Sequence, residues 1–133
     1  MVGLTAFTRS VLVVGRSTGN CRVIEEATQP WMFETVACSS IQESKDILDK
    51  QDFVLIFCEE SGEDGTYRDL LSMTRTRKVP VAVMLSDTNQ ELVFREAMAL
   101  GAFGVVGSPC SKKDVQWMVI RATQRESATR SSF

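Results

Sequence analysis

Two stretches of the chain concentrate side chains able to do chemistry. Gly15-Arg16-Ser17-Thr18-Gly19-Asn20-Cys21 gathers a guanidinium and two hydroxyls between glycines, the kind of loop whose N–H groups can cradle a phosphate ahead of a helix. A short Gly/Thr motif serves equally well as a plain loop and N-cap. The second stretch places Glu59, Glu60, Glu63 and Asp64 close together. Such a cluster could hold a hard divalent cation or offer a carboxylate to an activated phosphoryl group, and the ordinary alternative is a solvated acidic loop. Histidine is absent altogether, which excludes serine–histidine and cysteine–histidine nucleophiles and most zinc sites. Cys21, Cys38, Cys58 and Cys110 are widely spread with no C-x-x-C pair, so reduced, mostly buried thiols are expected.

These groups must be positioned by a single core. The chain has 133 residues, of which 44% are apolar and 24% charged, a size that supports one domain. Fifteen basic and seventeen acidic residues give a net charge of -2, which provides no electrostatic drive toward nucleic-acid phosphates or anionic membranes. No apolar run approaches the roughly 20 residues of a membrane-spanning helix, and the first residues lack the order of a signal peptide. A cytoplasmic protein without direct nucleic-acid or membrane binding is expected.

Apolar runs of strand length recur at 11–14, 35–38, 53–57, 81–85 and 103–106, and helical spacing or composition fills 21–28, 41–50, 67–77, 89–100 and 112–124. Continuous hydrophobicity marks strands covered on both faces, and five-fold strand–helix alternation implies right-handed crossovers and a parallel sheet between helical layers. Ser111 with Asp114 reads as a capping box for the last helix, whose Val115, Met118, Val119 and Ala122 form its apolar stripe. Residues 1–9 read as an N-terminal extension, 10–124 as the domain, and the polar, Ser-rich 125–133 as a tail or the start of a linker.

In an open parallel sheet, functional groups collect at the carboxyl ends of the strands. There the chain resembles the receiver domain of response regulators. The resemblance rests on Asp52-Phe53-Val54-Leu55-Ile56-Phe57 followed by Asp64-Gly65, on Val79-Pro80-Val81 through Leu85-Ser86, and on Gly101-Ala102 and Pro109. It implies a doubly wound (βα)5 three-layer sandwich with strand order 2-1-3-4-5. In that family an aspartate ending strand three takes a phosphoryl group, acids after strand one bind Mg²⁺, and a lysine before the strand-five proline neutralises the charge. By the same resemblance those positions hold Phe57, Gly15 with Arg16, and Ser108, while Ser86 matches the hydroxyl switch and Val105 replaces the aromatic one.

The resemblance therefore implies a degenerate phosphorylation site with no metal and no cofactor, in a regulatory pseudo-receiver that is not an enzyme. Arg16 could pair with Glu59, Glu60 or Asp87 in place of a metal, or point into water. The family's contact surface, built from helix four, strand five and helix five, would here carry Trp117, Phe94, Met98 and Val105, and would bind a protein partner or a second copy. The same side chains could instead be core. An attached output domain is a further expectation. The competing resemblance is to flavodoxins, whose FMN phosphate sits in a loop like 15–21. Here Arg16 and Cys21 replace its hydroxyls, and Tyr67 is the one candidate for stacking on a flavin.

Overall fold

Five parallel strands form one sheet in the order β2-β1-β3-β4-β5 in the computed structural model, which describes residues 9–86 and 91–130, the side chains of 126–130 excepted. The strands are β1 (Ser10–Val14), β2 (Glu34–Cys38), β3 (Leu55–Glu59), β4 (Val81–Leu85) and β5 (Gly104–Gly107). Between and after them lie α1 (Thr18–Thr28), a 3₁₀ turn (Gln29–Trp31), α2 (Ile41–Leu48), α3 (Tyr67–Thr74), α4 (Glu91–Ala99) and α5 (Lys112–Arg130). The doubly wound architecture and the strand order are those the sequence implied.

The pleat sorts the strand residues into two cores. Val11, Val13, Leu55, Phe57, Ala82 and Met84 face α1 and α5, where Ile24, Ala27, Val115, Val119 and Ala122 close over them. Leu12, Val14, Ile56, Cys58, Val83 and Leu85 face the other side, under Tyr67, Leu70, Leu71 and Ala97. Val115, Met118, Val119 and Ala122 of α5 are all buried, as their spacing predicts.

Local chemistry fixes where the helices begin. Ser17 Oγ accepts the Asn20 N–H, so α1 starts at Thr18, one turn earlier than its apolar periodicity suggests. Ser40 caps α2 by accepting the Glu43 N–H. Thr66 and Asp69 form a reciprocal capping box on α3, and Ser111 Oγ accepts the Asp114 N–H at the start of α5.

Two expected boundaries move. Strand β3 lies two residues later than its apolar run: Val11 to Val14 of β1 pair with Leu55 to Cys58, and Glu59 still pairs with Met84 of β4. Hydrophobicity marks burial, whereas a strand ends where its ladder ends, so a terminal glutamate is invisible to the apolar criterion. Helix α5 continues to Arg130, through most of the stretch read as a tail, because 125–130 contains no Gly or Pro to stop it. Of the expected N-terminal extension 1–9, residues 1–8 lie outside the described residues, as do Asn89 and Gln90 at the expected start of the fourth helix and residues 131–133.

Candidate functional site

At the carboxyl end of the sheet an open, mainly polar cleft of about 350 Å³ is bordered by Glu59, Glu60, Thr66, Arg68, Ser86 and Ser108. Ser86 and Ser108, both singled out in the sequence, are thus brought together. Phe57 is not with them. Its side chain is completely buried in the core against α1 and α5, paired through the ladder with Val13 and Ala82. Two residues further on, the same face of the strand presents Glu59 at the tip of β3. The correction follows from the shifted strand: counting back from Asp64-Gly65 lands on Phe57, but the side chain that reaches the cleft is a carboxylate.

Glu59 is firmly held. Oε1 accepts the Arg16 backbone N–H at 3.0 Å, and Oε2 accepts the Ser17 N–H at 3.1 Å and the Asn20 side-chain amide at 3.3 Å. Gly15 makes room for this arrangement, since a Cβ placed there would lie 2.3 Å from Glu59 Cδ, at a backbone φ of +157°. Its role is therefore clearance. The contribution of Arg16 to Glu59 is its backbone N–H, and among the described residues its guanidinium forms no ion pair. Asp87, its other candidate partner, lies outside the described residues.

Asn20 is the site residue that sequence reasoning passed over. It is buried, with 2% of its surface exposed. Besides Glu59, its amide donates to Ser108 Oγ at 2.9 Å, and its Oδ1 accepts the Cys110 N–H at 3.0 Å. One side chain thus joins the end of β3 to the loop after β5. A buried asparagine needs several partners, but nothing in the local sequence says which loops supply them.

The acidic cluster comes apart in three dimensions. Glu59 turns toward α1, Glu60 borders the cleft, and Asp64 leaves for the N-terminus of α2, where it accepts N–H bonds from Ile41 at 2.7 Å and Gln42 at 3.1 Å. Those bonds hold the Asp64 carboxyl below its ordinary range. Among the described residues no three His, Cys, Asp or Glu side chains converge as a metal site would require. Thiol chemistry is no better served: burial pushes Cys38 up to about 11 and Cys58 higher still.

A phosphate in the loop 15–21 would need N–H groups that Glu59 has already taken. Tyr67, the aromatic considered for stacking on a flavin, is 1% exposed and belongs to the core. On the far side, Phe94, Met98 and Trp117 are exposed, as is Leu92, which the sequence reading had not singled out. Val105 is half-buried against the second core. Of the basic residues near the end of α3, Arg77 is paired with Asp49 at 2.7 Å.

No protein-family model matches the sequence, and no curated protein matches it. Solved structures do. The receiver domain of a Luxo repressor protein from Vibrio parahaemolyticus superposes with a TM-score of 0.82 at 13% identity, covering 93% of this chain and 96% of that one. The receiver domain of the Francisella response regulator 1452 gives 0.78 at 16% identity, with 89% and 98% covered. The chemotaxis response regulator CheY4 of Vibrio cholerae gives 0.72 at 18% identity, with 90% and 99% covered. The chain has the fold of a response-regulator receiver domain over nearly its whole length. Among the described residues, no helix is long and apolar enough to cross a membrane.

Proposed function

We infer that the chain is a signalling module of receiver type that works without phosphoryl transfer, by contact with a protein partner or with a second copy of itself. One observation carries this reading: the carboxylate ending β3 is already held by three N–H donors of the chain itself. Glu59 accepts from three N–H donors, and Gly15 and Arg16 beside it bring no acid that could recruit a divalent cation. A carboxylate attacks a phosphoryl donor only with a lone pair free and the donor's charge neutralised. Here both carboxylate oxygens already accept N–H bonds, and Ser108 provides a hydroxyl where a cation would serve. An internal anion fixed in the cleft takes the place of the phosphoryl-driven switch, and the reading includes no enzymatic activity.

The contact surface in this reading is α4, β5 and α5, where Phe94 is 44% and Trp117 59% exposed; apolar side chains of this kind anchor interfaces. The test is incubation with acetyl phosphate and Mg²⁺ followed by intact-mass measurement. The mass is expected to stay unchanged, and a phosphoryl adduct mapped to Glu59 overturns the reading.

A further inference from the structure

Helix α4 is weakly anchored by apolar contact. Ala97 is its one fully buried residue among those described, and Val93 is partly buried against the second core. Its strongest attachment is polar. Glu96 Oε1 accepts the Tyr67 hydroxyl at 2.5 Å, Arg68 Nε at 2.8 Å and Arg68 Nη2 at 2.6 Å. The Arg68 guanidinium also lies over the Tyr67 ring, 4.9 Å from its centroid. Burial and the bond to Glu96 push the Tyr67 phenol up to about 12, and the bonds from Arg68 and Tyr67 hold the Glu96 carboxyl below its usual range.

Both partners of Glu96 stand in the first turn of α3, at the end of the loop that follows Glu59. That loop closes on itself: Ser61 bridges Thr66, and the Tyr67 N–H donates to Glu60 O at 3.1 Å. Arg68 borders the cleft as well, alongside Glu59, Glu60, Ser86 and Ser108. One guanidinium therefore touches the cleft on one side and α4 on the other, with Glu60 as the nearby carboxylate able to compete for it.

The geometry points to Arg68 and Glu96 as positioning residues that join the cleft loop to α4, so that whatever occupies or reshapes the cleft sets the placement of the exposed Phe94 and Met98. The link runs from α3 to α4 through side chains. It needs neither the strand-five aromatic, whose position is Val105, nor a phosphoryl group. It builds on the reading of α4 as part of the contact surface, but its test requires no partner.

The test is amide hydrogen exchange, resolved by peptide, on the intact chain. In Glu96→Gln, exchange in 91–99 and in 60–66 is expected to rise together by about two- to fivefold, the range that an exposed ion pair sustains, with β1 and α1 unchanged. Tyr67→Phe, which keeps the buried ring, is expected to give the same pattern more weakly. Arg95→Ala, which removes the exposed pair of Arg95 with Glu91 within α4, serves as the control: any acceleration stays within 91–99, and 60–66 is unchanged. Acceleration confined to 91–99 in Glu96→Gln overturns the inference by showing a local contact with no link to the cleft. A uniform rise including β1 in both Glu96→Gln and Tyr67→Phe overturns it too, because the cluster would then support only global stability. A phosphoryl adduct in the mass assay would overturn the proposed function and leave this exchange pattern intact, so the two failures are distinguishable.

Discussion

The two faces of the sheet differ in how they hold α1 and α5 on one and α4 on the other, although α3 on that second face also buries Leu70 and Leu71. On one, α1 and α5 press Ile24, Ala27, Val115, Val119 and Ala122 against the strands, and every one of these is at most 1% exposed. On the other, α4 contributes a small buried alanine and a half-exposed carboxylate, with Leu92 81% exposed. Apolar burial is short-ranged and intolerant of displacement; a hydrogen-bonded ion pair in reach of water can break and re-form at small cost. The α1–α5 layer is therefore held by apolar burial, and α4 mainly by a polar attachment in reach of water.

Truncation of buried side chains tests this contrast most directly. Ile24→Ala, in the α1–α5 core, is expected to cost about 2–5 kcal/mol, and Val93→Ala on α4 about 1 kcal/mol, both read from urea denaturation midpoints. Equal losses would abolish the distinction. A smaller effect locates Glu59 relative to the two regions. Gly15→Ala must either overpack the strand end or expel the Glu59 carboxylate from its N–H donors, and is expected to lose about 1–3 kcal/mol. Glu59→Ala in the same chain should remove most of that penalty, a non-additivity expected of groups in contact. Simple additivity would show that Gly15 and Glu59 do not constrain each other.

The smallest effect concerns the α2–α3 side and is present near neutrality but lost in acid. The folded-state carboxyl of Asp64 is depressed by the Ile41 and Gln42 N–H groups. Its contribution is therefore fully present above the ordinary carboxyl range and is lost as pH falls through that range toward the lowered value. The melting temperature of Asp64→Asn should trail that of the native chain near neutrality and converge with it in acid. A constant gap at all pH values would mean that the carboxylate charge contributes nothing there.

Much of the scaffold was legible in the residues and little of the site was. Val81–Leu85 reads as a strand because its apolar run and its ladder coincide, and Val115, Met118, Val119 and Ala122 announce their face by spacing alone. The β3 boundary failed because Phe53-Val54 is buried without being strand, while the polar Glu59 is strand without being fully buried. That two-residue slip moved attention from Glu59 to Phe57. The caps of α1 and α2 depend on hydroxyls at single positions, and among the described residues α3 is the helix that carries the full reciprocal box. Asn20 was unreadable for a different reason: its partners Glu59, Ser108 and the Cys110 N–H come from 39, 88 and 90 residues away, and no local pattern encodes such distances. Arg68 and Glu96, 28 residues apart, were missed for the same cause.

The contact between Gly15 and the Glu59 side chain also orders the steps by which this chain can change. While glutamate stands at 59, a larger residue enters at 15 only by pushing the Glu59 carboxylate off its N–H donors, so an acid at the end of β1 is accommodated best after position 59 has shortened. Shortening it first strands the Arg16 and Ser17 N–H groups without an acceptor. Building a cluster of acids in this cleft therefore passes through an intermediate poorer than the present chain.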